Sequence, residues 1–397
     1  MIDFRLLHGD ELPPYQGVTT PRDESLYAGF GWGPSGSLLC GWPHFRNHVF
    51  DGEFPLAKIG FNDPHFPGKV TLHAWSPFIP GNARDSSLPA ACFDMELVND
   101  TADTLDYSCI GVLCNPWMNP EHVNLYSGRS LTVRSGLPED DLRHGDLTLE
   151  IQDDSTDCSG QSYLFRGGWV DSMETYHNDV MRGNRFAQRT YSEKQSRTDH
   201  GLLAAHFRLK PGERRKVSFV LTWNIPLRRN DWRPDADELA RKNGIVNRWR
   251  NYYATQWENS VHSARYVMQN RPRLETDTRK FRDAMFSGTL PKEAIEGVSA
   301  ILAVLRSPTC LRLEDGTFYG WEGVGSAWGS CEGSCTHVWN YAQALAFLFP
   351  DLERSMRESH LRHSVDQYGG AHFRLNLPLG IQATPDMFRP CADGQFG

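Results

Sequence analysis

The sequence has no long apolar runs. In 397 residues the longest, Ala344–Phe349 and Ile301–Leu305, fall far short of the roughly 18 residues that a membrane span needs, so no transmembrane segment is expected. Clustered basic charge is also missing. Forty-one Lys and Arg stand against 49 Asp and Glu, a net charge of −8, and the cations form no stripe. Phosphate backbones are bound through clustered cations and counterion release, so nucleic acid is set aside as a partner. The start, Met1-Ile2-Asp3-Phe4-Arg5, has neither the basic nor the apolar region of a secretory leader. Internal repeats and low-complexity segments are absent. Nine cysteines are an odd number and too sparse in so long a chain for a disulfide framework. Reduced thiols and a cytoplasmic location are expected, with the periplasm left open. With 39% apolar and 23% charged residues, the composition is that of a globular chain rather than a disordered one.

Aromatic residues are plentiful: 21 Phe, 12 Trp and 13 Tyr. They suit strands and cores, and they equally suit stacking against the apolar face of a sugar ring, and composition does not separate the two. The length predicts two or three domains. Residues 1 to about 226 read as β. Val70, Leu72 and Ala74 alternate with Thr71, His73 and Trp75, and similar alternation recurs at Phe93–Leu97, Leu147–Gln152 and Val217–Trp223. Period two with one apolar face is the pattern of half-buried antiparallel strands. Pro80-Gly81, Asn99-Asp100 and Pro211-Gly212 mark turns between them. No long helical stretch alternates with the strands, which favours a sandwich over βαβ units.

Near Asp231 the texture becomes helical. Trp249, Tyr252, Tyr253, Gln256, Trp257, Ser260, Val261 and Ala264 fall near one face of a predicted helix that Pro272 should stop. A second helix is predicted from about Lys292 to Leu305, with Ile295, Val298, Leu302 and Leu305 as its buried stripe. A third should begin near Thr336 and be closed by Pro350, with another starting at Leu352–Ser359.

Several motifs could carry chemistry. Gly31-Trp32-Gly33-Pro34-Ser35-Gly36 matches G-x-G-x-x-G, but it lacks the strand before and helix after that would aim backbone N–H groups at a phosphate. Cys331, Cys335 and His337 form a C-x3-C-x-H fragment, which Cys310 or His360 could complete as a zinc shell. The blander reading is small packing residues in a Gly-rich loop, and no metal is predicted. Glu322 follows Phe318-Tyr319-Gly320-Trp321 and precedes a loop containing Gly325, Gly329 and Gly333 that leads to the helix at His337. A carboxylate beside Trp321 and Trp328 pairs a nucleophile or base with a stacking ring; the alternative is an exposed loop Glu beside packing Trp residues. Glu332 competes for the role, and Asp315, before Gly316, reads as a turn residue.

Gly320-Trp321-Glu322-Gly323, then Cys335–Leu345 and Phe349–Arg354, resemble glycoside hydrolase family 116, the family of the non-lysosomal glucosylceramidases and bacterial β-glucosidase relatives. In the first half, Ala74-Trp75-Ser76-Pro77-Phe78-Ile79-Pro80, Asp85–Pro89 and the strand Val217–Trp223 are similar to it as well. The resemblance implies an N-terminal β-sandwich, a C-terminal (α/α)6 barrel, and retaining cleavage of β-glycosides by a Glu nucleophile and an Asp acid/base, without a cofactor. Glu322 matches the nucleophile's Leu-Glu-Gly position. A retaining site places its second carboxyl ~5 Å away. Three departures stand out. The family's Leu-Gly-Gly-Ile-Gly type run is absent. Its sugar-binding Asp falls near His337, and its later His-Asp pair near Leu377-Pro378. The acid/base Asp is expected downstream of Gly397.

The expected architecture is therefore a mixed two-domain chain: an N-terminal antiparallel β-sandwich (1–230), a helical linker (231–275) and the helices of an incomplete (α/α)6 barrel (276–397). The substrate would be a carbohydrate or glycolipid. Glu322 would be the nucleophile, Trp321 a wall of the sugar subsite, His337 a hydroxyl contact, and Asp393 a further residue of the cleft. The abrupt stop at Gly397 reads as a truncation in mid-barrel that leaves apolar helix faces open and solubility poor. Two rivals remain: a non-catalytic carbohydrate-binding or interaction protein on the same fold, and a Cys331/Cys335/His337 metal centre.

Overall fold

The computed structural model describes residues 2–8, 16–18, 44–153, 156–168, 171–182, 185–322, 330–339, 342–383 and 390–392, with backbone alone for 2–8, 16–18 and 337. Two antiparallel sheets form its first part. The smaller contains β1 (Ile2–His8), β2 (Gln16–Val18), β7 (Leu105–Asn115), β11 (Asp157–Gln161) and β12 (Asp199–Leu209), in the order β11-β12-β7-β1-β2. The larger contains β3 (Asn47–Glu53), β4 (Leu56–Asn62), β5 (Lys69–Trp75), β6 (Ala90–Val98), β8 (Val123–Ser127), β9 (Ser130–Arg134), β10 (Asp146–Ile151) and β13 (Arg214–Asn224). Its order is β3-β4-β5-β6-β13-β10-β9-β8. Alternate residues of the larger sheet (Val70, Leu72, Met95, Leu97, Leu149, Ile151, Val217 and Phe219) meet Tyr107, Cys109, Leu203 and Ala205 of the smaller one in a single apolar core. The period-two runs of the sequence thus mark the inward face.

Both outer faces are also covered. On the smaller sheet, Ile110, Val112, Leu202 and Ala204 lie under Tyr176 and Val180 of helix α2 (Asp171–Met181) and under Phe186. Helix α2 sits between two strands, where the sequence reading anticipated none. On the larger sheet, Trp75, Ala90, Cys92 and Val220 lie under Trp257 and under Val267 and Leu274 of the long helix α5 (Ser260–Phe286). This is why β13 reads apolar at Val220 as well as at Phe219.

Helix α5 corrects two expectations. It runs through Pro272 to Phe286 instead of stopping there. Proline removes one N–H and crowds the preceding turn. Here Arg271 is tied to Asp94 on β6, while Val267, Leu274 and Thr278 are buried on either side, so packing outweighs the local penalty. The stretch before it is not one helix. It divides into α3 (Ala236–Lys242), the short pair β14 (Leu227–Arg228) with β15 (Trp249–Arg250), and α4 (Tyr253–Gln256). Asn259 then caps α5, its side chain accepting from the His262 N–H at 3.0 Å.

The remaining part holds α6 (Lys292–Leu302), the pair β16 (Cys310–Arg312) and β17 (Phe318–Gly320), α7 (Thr336–Trp339), α8 (Ala344–Leu348) and α9 (Pro350–His363). On α6, Ile295, Ser299 and Leu302 face inward, while Val298 is 53% exposed, so the buried stripe is rotated from the expected one. Pro350 both closes α8 and opens α9, where a missing N–H costs nothing. Among the described residues no helix is long and apolar enough to cross a membrane.

The Ser76–Pro89 segment, which includes α1 (Ala83–Ser86), joins the two parts. Phe78, 1% exposed, meets Phe349 edge-on at 5.2 Å and packs with Phe318, Trp339 and Leu345. The Gly81 N–H donates to the Leu348 carbonyl at 2.7 Å.

Candidate active site around Glu322

The chain reaches Glu322 from β17. Gly320 is required there, because a Cβ would lie 2.0 Å from the Trp339 ring. The loop that returns toward α7 is pinned to the same spot: the Ser334 N–H donates to the Gly320 carbonyl at 2.9 Å, and the Gly320 N–H to Ser334 Oγ at 3.1 Å. The Glu322 N–H donates to the carbonyls of Ser330 and Cys331 at 3.2 and 3.0 Å. Cys331 and Ser334 adopt left-handed backbone, with φ of 51° and 46°. Gly333 (φ 108°) lets the segment 372–375 press in, since a Cβ there would meet the Arg374 backbone at 2.9 Å. The Leu375 N–H donates to the Gly333 carbonyl at 2.7 Å.

This packing delivers Arg374 to Glu322. Its Nη1 donates to Glu322 Oε1 and, at 3.1 Å, to the Glu332 carbonyl. Partial burial pushes the Glu322 carboxyl up, but hydrogen bonds from the Cys335 thiol, Arg374 and Cys331, with the Arg374 charge, outweigh it and hold the group below the usual carboxylate range. Burial pushes the Cys335 thiol up, and its bond to Glu322 adds to this. For Arg374, desolvation is outweighed by the carboxylate, and its pKa rises. The result is a half-buried carboxylate that stays ionised at neutral pH.

The other sequence candidates are placed differently. Trp321 is half-buried and packs edge-on against Trp232, with centroids 5.4 Å apart at 68°. Trp249, Tyr319, Leu375 and Leu377 belong to the same cluster. The backbone of His337 lies in the first turn of α7, and its side chain is outside the described residues, as are Asp393 and the glycine-rich run 31–36. Cys331 and Cys335 are free thiols that turn toward the Glu322 carboxylate. Among the described residues no three His, Cys, Asp or Glu side chains group as a metal shell would require. Glu332 meets Arg374 through its carbonyl rather than its carboxylate. Asp315 forms the expected turn, accepting from the Thr317 N–H at 2.9 Å and its hydroxyl at 3.0 Å. Leu377 is 1% exposed in the tryptophan cluster. Arg374 is the residue sequence reasoning missed: it lies 52 positions from Glu322, with no spacing or motif to link them.

Glu322 does not line the cavity of about 600 Å3, whose charged groups among the described residues are all cationic.

Residues 13–274 match a sequence family described as beta-glucosidase 2, glycosyl-hydrolase family 116 N-term. The chain belongs to glycoside hydrolase family 116. The match covers the sandwich except β1 and runs to Leu274 within α5, ending before Glu322. No curated protein matches the chain. Among solved structures it is similar to a human-microbiome protein described as a kojibiose phosphorylase, at 9% identity, covering 71% of this chain and 27% of that one with a TM-score of 0.33. It is similar also to a polysaccharide lyase (10% identity, 59% of this chain and 27% of that one, TM-score 0.30). A family GH92 α-mannosidase from Bacteroides thetaiotaomicron is a third (11% identity, 70% and 31%, TM-score 0.28). The chain spans about a quarter to a third of the length of these proteins. At such scores the likeness carries no argument about the site.

Proposed function

We propose that this family member takes part in retaining hydrolysis of a β-linked glycoside, with Glu322 as the nucleophile. The observation that carries the reading is the ionised Glu322 carboxylate, held by Arg374 and the Cys335 thiol on a loop braced by Gly320 and Gly333. A nucleophilic carboxylate must be deprotonated and fixed in direction before it can attack an anomeric carbon. Arg374 and the thiols supply both conditions. A retaining site also needs a second carboxyl about 5 Å away to protonate the leaving oxygen and then activate water. The groups around Glu322 here are a guanidinium and thiols, so we assign the proton donor to residues other than those described.

The expected division into a sandwich (1–230), a linker (231–275) and helices of an (α/α)6 barrel (276–397) is kept within this proposal. Helices α6 and α9 are taken as barrel members, and Trp321, His337 and Asp393 as residues beside the sugar. The substrate is a carbohydrate or the sugar head of a glycolipid.

The test is Glu322→Gln in the protein, assayed on an activated aryl β-glycoside. Loss of turnover with an unchanged melting transition supports the assignment, and near-native hydrolysis removes it. A 2-deoxy-2-fluoro β-glycosyl fluoride should glycosylate wild-type protein on the Glu322 carboxylate with loss of the anomeric fluoride, leaving a glycosyl ester visible by peptide mass, whereas a label elsewhere would reassign the nucleophile.

A further inference from the structure

The 600 Å3 cavity lies between the Ser76–Pro89 segment, the end of β13 and the C-terminal helices. Among the described residues its wall includes three arginines, Arg228, Arg306 and Arg312, and no Asp or Glu. Arg306 donates to the Ser86 carbonyl and the Ser76 hydroxyl, and enclosure without a counter-ion pushes its guanidinium down to about 10. Arg312 donates to the Ala83 carbonyl at 2.8 Å and to Ser87 Oγ at 2.9 Å, with its guanidinium 3.5 Å from the Tyr252 ring centroid. Arg228 is half-buried, and among the described residues its guanidinium has neither a hydrogen bond nor an ion pair. The carboxylates whose fields reach Arg228 and Arg312, Asp231 and Asp351, do not line the cavity.

Three guanidinium groups line one cavity, and burial, the leading cause that lowers the pKa of each, removes water that would solvate their charge. Such an arrangement is favourable when an anion completes it. A guanidinium offers a planar fork matched to carboxylate or phosphate oxygens. Apolar and aromatic side chains, among them Phe78, Trp223, Phe318, Leu345 and Phe349, share the wall with the polar groups of Ser87, Asn251 and Ser307. A volume of this size suits a small organic molecule. We propose that the cavity binds a small organic anion, a carboxylate or phosphate monoester carried on an apolar or aromatic body, with Arg228 as its mobile contact and Arg306 and Arg312 as fixed charges. The inference is independent of Glu322, which lies outside the cavity wall.

The test uses the full chain with phenyl phosphate and benzoate as probes, benzyl alcohol as the neutral control and inorganic phosphate as the bare head group, all at one ionic strength. Calorimetric titration should show phenyl phosphate or benzoate binding, benzyl alcohol not binding, and inorganic phosphate binding more weakly. Arg228→Met should weaken the anion by at least about tenfold, since a charged hydrogen bond is lost, and Arg228→Lys by less. Anion binding equal in Arg228→Met and wild type, no binding of either organic anion, or equal affinity for benzyl alcohol would each overturn the proposal. Inorganic phosphate bound as tightly as phenyl phosphate would overturn the role of the apolar wall. If Arg228→Met loses its cooperative melt, the comparison is made with Arg228→Lys, where binding unchanged from wild type at raised salt counts against the site.

Discussion

The Arg374 guanidinium donates to the Glu322 carboxylate, although 52 residues separate them in the chain. The pair exists because Gly333 allows the Arg374 backbone to approach the loop, and because Ser334 pins that loop to β17. A carboxylate held below its usual range is ionised across the physiological window, and the group that holds it there should be visible in pH profiles.

Arg374→Met should therefore raise the Glu322 pKa. With Glu322 as the proposed nucleophile, the acid limb of kcat/KM would report its carboxylate, and it should move to higher pH while the basic limb stays. The sign follows from the direction of the shift: a depressed carboxyl pKa means stabilisation present at neutral pH and lost as pH falls through it. An acid limb that does not move in this variant would separate Arg374 from the Glu322 charge.

Gly333→Ala should act on the same pair from the backbone. It places a Cβ 2.9 Å from the Arg374 Cα at a φ of 108°. We expect a loss of about 1–3 kcal/mol in urea unfolding together with the acid-limb shift of Arg374→Met. Gly320→Ala, which drives a Cβ into the Trp339 ring, should destabilise similarly.

Arg271 and Asp94 form a buried pair between α5 and β6, with side chains 6% and 3% exposed. Ser218 Oγ also donates to Asp94, at 2.6 Å. Removing one partner strands a buried charge, so Arg271→Met should cost about 3–5 kcal/mol by denaturant melt. The double variant Asp94→Asn with Arg271→Met should recover part of that loss. A double variant whose loss equals the sum of the singles would show that the two side chains do not act as a pair.

Stability should fall with acid in a defined window. Burial pushes His206 down from 6.5 to about 4, where Ser108 and Ser159 hold its two nitrogens at 2.7 and 2.6 Å. Between those values the unfolded chain takes up a proton that the folded one refuses. Stability is thus full above pH 6.5 and declines toward pH 4. His360, also lowered to about 4 by burial, adds to the slope. Thermal melts from pH 7 to 4 should show the decline, and His206→Gln should flatten it.

The strands of the sandwich and the helical texture after Asp231 were legible because period two and period 3.6 are local signals. The helix through Pro272 was not, since its stability comes from Asp94 and from Trp75 and Val220 on a distant sheet. Helix α2 was missed for a like reason: its buried residues, Tyr176 and Val180, gain their burial from strands that lie elsewhere in the chain. The run Ala74–Pro89 was readable as a family resemblance, while its physical role, joining the sandwich to the later helices through Phe78 and Gly81, is set by partners more than 200 residues away.

By itself the sequence determined the two textures, the family resemblance and Glu322 as the candidate carboxylate, because each is written in residues that are neighbours in the chain. The tertiary structure alone decided that Arg374, Cys335 and Cys331 surround that carboxylate, that Trp321 packs against Trp232, and that three arginines share a cavity with no acid among its described residues. Charge and hydrogen bonding act through space over a few ångströms, and no local pattern records which distant segments folding will bring that close.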